Sequence, residues 1–222
     1  MSSAIIQLLV LAGIAVFLIL RLRSVLGTRD GFEKPPVPLQ GNEDTTRRGR
    51  PEFDVIEGGP DRDITDHVED GSGAAKALAS MKMAEGGFSV SEFLEGARGA
   101  YEMILMAFEN GDMEEVRSFL SGDVAEAFDS VIEQREQEGL TIEANFVGVR
   151  EVTLVDAEFD RDTSTGDVTV RFVGELTSVV KNAEGEIIEG DPSEIKRQRD
   201  VWTFSRTMGS NDPNWVLAAT GE

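Results

Sequence analysis

The feature that constrains this chain most lies at its start. Ala4 to Leu20 is a run of seventeen residues with one polar member, Gln7, closed by Arg21-Leu22-Arg23. As a helix the run spans roughly 25 Å, slightly short of a hydrocarbon core of about 30 Å. Leu22, Val25 and Leu26 extend the apolar surface, and arginine stems reach from it to the headgroups. Twelve of the seventeen are Ile, Leu, Val or Phe, each favouring mid-membrane by about 0.3 to 0.6 kcal/mol. Residues 4–26 therefore read as a transmembrane anchor with a basic flank. A cleaved signal peptide would need basic side chains before the run and a small-x-small site after it. Met1-Ser2-Ser3 and Arg21 to Leu26 supply neither. Arg21, Arg23 and Arg29 all follow the run, and the positive flank stays inside, so the N-terminus is expected outside and the bulk of the chain in the cytoplasm.

Charge limits the partners. The 222 residues carry a net charge of −21 and no cysteine, which suits one domain plus anchor and linker, and excludes disulfides and thiolate metal sites. From Lys76 onward thirteen basic residues face thirty acidic ones, a net of −17. Such a domain repels phosphate backbones and the anionic leaflet alike. No nucleic-acid partner is expected, and direct lipid binding by the domain is disfavoured unless a local patch runs against the average. The membrane lipid expected as a partner is the lipid around the N-terminal helix.

Residues 27–73 hold five of the seven prolines and few apolar residues, with neither helical nor strand period. They read as a disordered tether, with a reach of about 35 to 40 Å. His67, the only histidine, lies among Asp66, Glu69 and Asp70; no second ligand at helical spacing accompanies it, so no metal and no cofactor is expected. Residues 74–87 (AAKALASMKMAE, then Gly86-Gly87) form a short helical segment. Its Met81 and Met83 read either as a partner surface or as the contact that docks the helix on its own domain.

The folded part is expected over 88–222. Ser89 or Ser91 caps a helix to about Glu109, with Phe93, Leu94, Ala97, Tyr101, Ile104, Leu105 and Phe108 on one stripe. Gly96 and Ala100, one turn apart, leave room for another element to approach. Asp112 with Glu115, and Asp123 with Glu126, are spaced like capping boxes, predicting a short helix to Leu120 and a longer one to Glu138. Beyond Gly139 the period becomes two. Strands are expected at Leu140–Val149, Val152–Phe159, Val168–Thr177, Ile195–Arg206 and Trp215–Thr220, joined by short turns and hence antiparallel. Helices first and strands after make an α+β fold, about three helices packed on one face of a curved sheet.

No phosphate loop, paired histidine or nucleophile elbow is present in the sequence, and the chain is expected not to be an enzyme. One constellation stands out. Alternation places Asp200, Trp202, Phe204 and Arg206 on one strand face, with Trp215 on the next strand. The group reads as an aromatic pocket for a ligand or peptide side chain, or as core packing with an Asp–Arg pair at its rim. Tyr101 joins it as the only tyrosine.

The stretches Asp200-Val201-Trp202-Thr203-Phe204-Ser205-Arg206 and Asp212-Pro213-Asn214-Trp215-Val216-Leu217-Ala218-Ala219-Thr220 resemble the end of the domain of the mitochondrial inner-membrane translocase subunit 44 family. Phe93-Leu94-Glu95-Gly96-Ala97-Arg98, Ala100-Tyr101-Glu102 and Gly111-Asp112 agree with its front. The anchor and Leu20 to Gly27 look like the bacterial, TimA-type adaptor branch. The resemblance implies a cone-shaped domain of the nuclear-transport-factor-2-like superfamily. It also implies a single-pass scaffold in the bacterial inner membrane, N-terminus periplasmic and domain cytoplasmic, that recruits protein partners. Two further readings stay open: a cone that holds a small hydrophobic molecule, with an isomerase-type Asp and Tyr as its extreme form, and a purely structural assembly factor.

Overall fold

A computed structural model describes residues 60–221. The anchor, its flank of Arg21, Arg23 and Arg29, and the tether up to residue 59 lie outside the described residues. Among those described, no helix is long and apolar enough to cross a membrane.

The helices come first: α1 (Arg62–Thr65), α2 (Gly73–Ala84), α3 (Val90–Asn110) and α4 (Gly122–Gln137), with a 3-10 turn at Arg117–Phe119 before the last. Their starts follow local chemistry. Ser72, Ser89 and Ser121 each accept a backbone N–H three residues on, satisfying donors that the first turn leaves without a partner. Gly111 ends α3 in the left-handed region, with φ of 74°, a conformation glycine adopts without steric cost.

Two capping expectations need correction. Asp112 opens no α-helix; its carboxylate takes the Glu114 N–H in a tight turn, and only the 3-10 turn follows. The longer helix starts at Ser121 rather than Asp123. Serine reached the cap first, since its hydroxyl accepts the Val124 N–H.

Residues 60–73, read from composition as tether, contain α1, and Ile64 of α1 is buried. Asp63 explains the stop: it accepts from the Val90 and Ser91 N–H groups at 2.8 and 2.9 Å and pairs with Lys82 at 2.7 Å. Helix α2 contributes Leu78 and Met81, both with no exposed surface, to the same core as α3. Met83, two residues on, is 87% exposed. The two methionines therefore have opposite roles: Met81 docks the helix, and Met83 stays free.

All the strands pair antiparallel: β1 (Thr141–Asp160), β2 (Thr165–Lys181), β3 (Ile187–Gly190), β4 (Lys196–Thr207) and β5 (Val216–Gly221). Strand order is β1-β2-β4-β5, and β3 continues the β4 side of β2. The interruption between β3 and β4 spans Asp191 to Ile195 and holds Pro192, which has no N–H for the ladder. Where two strands were expected at Leu140–Val149 and Val152–Phe159, one long β1 runs through, with register shifts at Phe146/Gly148, Val149/Glu151 and Leu154/Asp156. Bulges like these bend a strand without ending it and increase its twist, so the sheet curves around the helices. The core lies between them: Val168, Val170, Phe172, Trp202, Phe204 and Leu217 from the strands meet Val90, Phe93, Tyr101 and Ile104 of α3.

Candidate functional site

Alternation on β4 places Asp200, Trp202, Phe204 and Arg206 on the helix side, as read from sequence, but they do not form one site. Trp202 and Phe204 are core residues, 4% and 2% exposed. Tyr101 is completely buried and stacks on Phe172, ring centroids 4.5 Å apart and planes 12° from parallel, with Trp202 at 4.8 Å. A side chain at Gly174 would put its Cβ 2.7 Å from the Tyr101 hydroxyl, so glycine is what lets this ring lie flat against β2. The hydroxyl donates to Asp200 Oδ2 at 2.6 Å, and Gln198 donates to Oδ1 at 3.0 Å. Burial, reinforced by the Asp200 hydrogen bond and charge, pushes the phenol well above the usual tyrosine range.

The expected rim pair of Asp200 with Arg206 is not formed. Arg206 Nη2 donates to Glu85 Oε2 at 2.6 Å, its Nε donates to the Asp212 carbonyl, and the Gly209 N–H donates to the same Glu85 oxygen at 2.8 Å. The Arg206 hydrogen bond, then the Gly209 N–H, hold the Glu85 carboxyl below its usual value, against a smaller upward push from burial. Glu85 caps the C-terminal end of α2, so this pair fastens α2 to the β4–β5 connection. Nothing in the local sequence points to it, because its partners stand 121 residues apart. The Arg206 guanidinium also lies 5.8 Å from the Trp215 ring centroid.

Two clefts flank this core on the helix side. The larger, about 350 Å³, has an aromatic and small-residue wall of Phe88, Phe93, Gly96, Ala97, Ala100, Phe119 and Trp215, with Glu85, Glu92 and Arg206 at its edge. Phe93 and Trp215 meet with ring centroids 4.7 Å apart, and Phe88 lies 5.8 Å from Trp215. Gly96 is the opening: it is exposed, and a Cβ there would touch nothing within 4 Å. The smaller cleft, about 220 Å³, is lined by Ile104, Leu105, Phe108, Phe128 and Trp202, with Asp200 and Gln198 as its polar edge. Arg135 covers the Phe108 ring at 4.3 Å and donates to the Phe108 carbonyl. Nearby, burial pushes the Glu109 carboxyl up despite the opposing charges of Arg135 and Lys196. The single constellation read from sequence is thus divided: Phe204, Arg206 and Trp215 line the first cleft, Asp200 and Trp202 the second, and Tyr101 belongs to the packing between. His67 lies elsewhere, its Nε2 3.2 Å from the Ser91 hydroxyl.

Among solved structures, the intermembrane space region of the chloroplast protein ARC6 aligns at a TM-score of 0.38 and 12% identity, covering 59% of this chain and 92% of that one. The human mitochondrial import inner membrane translocase subunit TIM44 is 23% identical over 161 residues, which are 68% of this chain but only 35% of that protein. The chain thus spans about a third of the relative's length. Residues 74–222, from the first turn of α2 through the Glu85–Arg206 staple and both clefts, match the Tim44-like domain, and the chain belongs to that family.

Proposed function

We propose that this protein is a membrane-anchored adaptor whose Tim44-like domain holds a partner protein in the cytoplasm, at the inner face of a bacterial inner membrane. The TimA-type assignment, the N-terminus on the periplasmic side and a nuclear-transport-factor-2-like cone belong to the same proposal. The relative TIM44 is by name a subunit of an inner membrane translocase, which supports membrane-associated work of this kind. The observation that carries the reading is the larger cleft. It offers five aromatic rings and an exposed glycine on a helix, rimmed by charges of both signs. That is how an anchor pocket for one apolar side chain of a partner is built, with a polar edge to fix orientation.

Binding rather than catalysis is proposed, because the only tyrosine is buried and its proton is committed to Asp200. The smaller cleft supports a second reading. Its aromatic walls and half-buried carboxylate suit a small, mostly apolar ligand with one donor group.

Gly96→Leu tests the first reading. The new side chain enters open space and fills the mouth of the cleft, while losing a helix glycine stabilises α3 by about 0.5 to 1 kcal/mol. Partners captured with the full-length chain from gently solubilised membranes are expected to be lost in this variant, with the melting temperature unchanged or raised. Equal capture by both proteins would contradict the cleft as the partner site. An apolar molecule retained through native purification of both would favour the ligand reading.

A further inference from the structure

Both oxygens of Asp200 are held in place by the fold itself. Oδ2 accepts from the hydroxyl of Tyr101, a residue with no exposed surface, at 2.6 Å, and Oδ1 accepts from Gln198 at 3.0 Å. Neutral donors fix the direction of a carboxylate and leave its charge uncancelled. Each oxygen also keeps room for a further donor, since an ionised carboxylate offers about four acceptor sites. No cation takes that place: Asp200 has no ion-pair partner among the described residues.

The cations around it are engaged elsewhere. Arg206, on the same strand, pairs with Glu85. Arg197 and Arg199 belong to the opposite face of β4, where their charges act on Glu175 and Glu151. Lys196 shares the side of Asp200 but stands four residues away, about 13 Å along a strand, and its charge acts with that of Arg135 on Glu109. Arg135 lies over the Phe108 ring and donates to the Phe108 carbonyl. Neither lines the smaller cleft, where Asp200 is the only charged residue.

The other side chains of that cleft are mostly apolar. Ile104, Leu105 and Trp202 are buried, Phe108 and Phe128 partly so, and the space between is about 220 Å³, below the roughly 300 to 1,000 Å³ of a drug-sized site. A carboxylate set against aromatic walls gives up hydration, and an opposite charge restores more of that loss than a neutral donor does. Aromatic faces attract a cation as well. We propose that the smaller cleft binds a small primary amine, its ammonium on Asp200 and its short apolar body against Trp202, Phe108 and Phe128. The proposal rests on the ligand reading of this cleft and names the ligand class. A lysine side chain from a partner fits less well. It would enter charge first, toward the buried Ile104, Leu105 and Trp202, whereas Asp200 stands half-buried at the edge. A free amine turns its body inward and keeps its ammonium at the rim.

The test is isothermal titration calorimetry with the full-length chain in detergent micelles, with micelles alone as the blank. The probes are phenethylammonium and its neutral counterpart 2-phenylethanol. Wild type is expected to prefer the amine over the alcohol by about tenfold, the difference between a charge-assisted and a neutral hydrogen bond. Asp200→Asn keeps the shape and an acceptor for Tyr101 but removes the charge, so it should lose about tenfold in amine affinity and nothing for the alcohol. Gly96→Leu, in the other cleft, should bind both like wild type. The two probes on wild type decide the matter even if Asp200→Asn folds poorly. Equal binding of amine and alcohol by wild type would overturn the ammonium assignment and leave a cleft for neutral ligands. No binding of either at millimolar concentration would overturn that ligand reading too. An amine preference that survived in Asp200→Asn would also sink the proposal, since it would come from the acidic surface at large. Loss of binding in Gly96→Leu alone would do the same, by moving the amine to the larger cleft.

Discussion

Successive residues of β2 and β4 live in two environments. Phe172, Trp202 and Phe204 turn toward the helices, where they stack with Tyr101 and Phe93 in a dry interior. Arg171, Val201 and Thr203 of the same strands turn to the open face, where Arg171 pairs with Glu151 in an exposed salt bridge and the charge of Arg199 acts on the same carboxylate. Both faces use aromatic or charged side chains at cross-strand spacing, yet they do different work. Apolar area removed from water stabilises by about 25 cal/mol per Å², whereas exposed ion pairs are worth about 0 to 1 kcal/mol each. The helix face therefore holds most of the fold, and the open face contributes little beyond its own exposed pairs.

Three substitutions measure that contrast, read by urea unfolding through tryptophan fluorescence; the chain has two tryptophans, both in the domain. Phe172→Ala should cost the most, about 3 to 5 kcal/mol, by opening a cavity under Tyr101. That is a large part of the 5 to 15 kcal/mol typical of a domain. Glu85→Gln comes next, at about 1 to 3 kcal/mol at neutral pH, because it leaves Arg206, whose side chain is 9% exposed, without its carboxylate. This effect depends on pH. The folded-state value of Glu85 is depressed, so its contribution is complete above the unfolded value near 4.5 and is lost as pH falls through the folded one. The gap between wild type and variant should close on acidification, and a gap that persisted at low pH would mean that shape rather than charge holds the staple. Arg171→Ala, one residue from Phe172 but on the open face, should change stability by no more than about 0.5 kcal/mol. A cost there comparable with Phe172→Ala would break the comparison, since it would mean that this face is covered.

Much of this was legible before any coordinates. The apolar stripe of α3 from Phe93 to Phe108 and the alternation around Trp202 were read from spacing alone, because helical and strand periods are local properties. Serine caps were readable for the same reason at Ser89, and misread at Ser121 only because Asp123 competes two residues later. The single long β1 was not legible, since a bulge looks like a strand end when its partner strand is unknown. Neither was the inclusion of α1, a turn capped locally by Asp61 and held to the domain by buried Ile64 and by Asp63, which meets the N-terminus of α3 and Lys82.

The sequence by itself determined the longer helices, the helix-then-strand order, the alternation along the strands of Val168 and Trp202 and the acidic balance, all of which are set within a few residues or by simple counting. Tertiary structure decided the partners. Asp200 took the hydroxyl of Tyr101, 99 residues away, and Arg206 took Glu85, 121 residues away, instead of each other. The arginines of β1, β2 and β4 came together only when register aligned three strands. A charge or hydrogen-bond donor in a chain carries no mark of the group it will meet. That choice is made by which surfaces the burial of apolar side chains brings into contact.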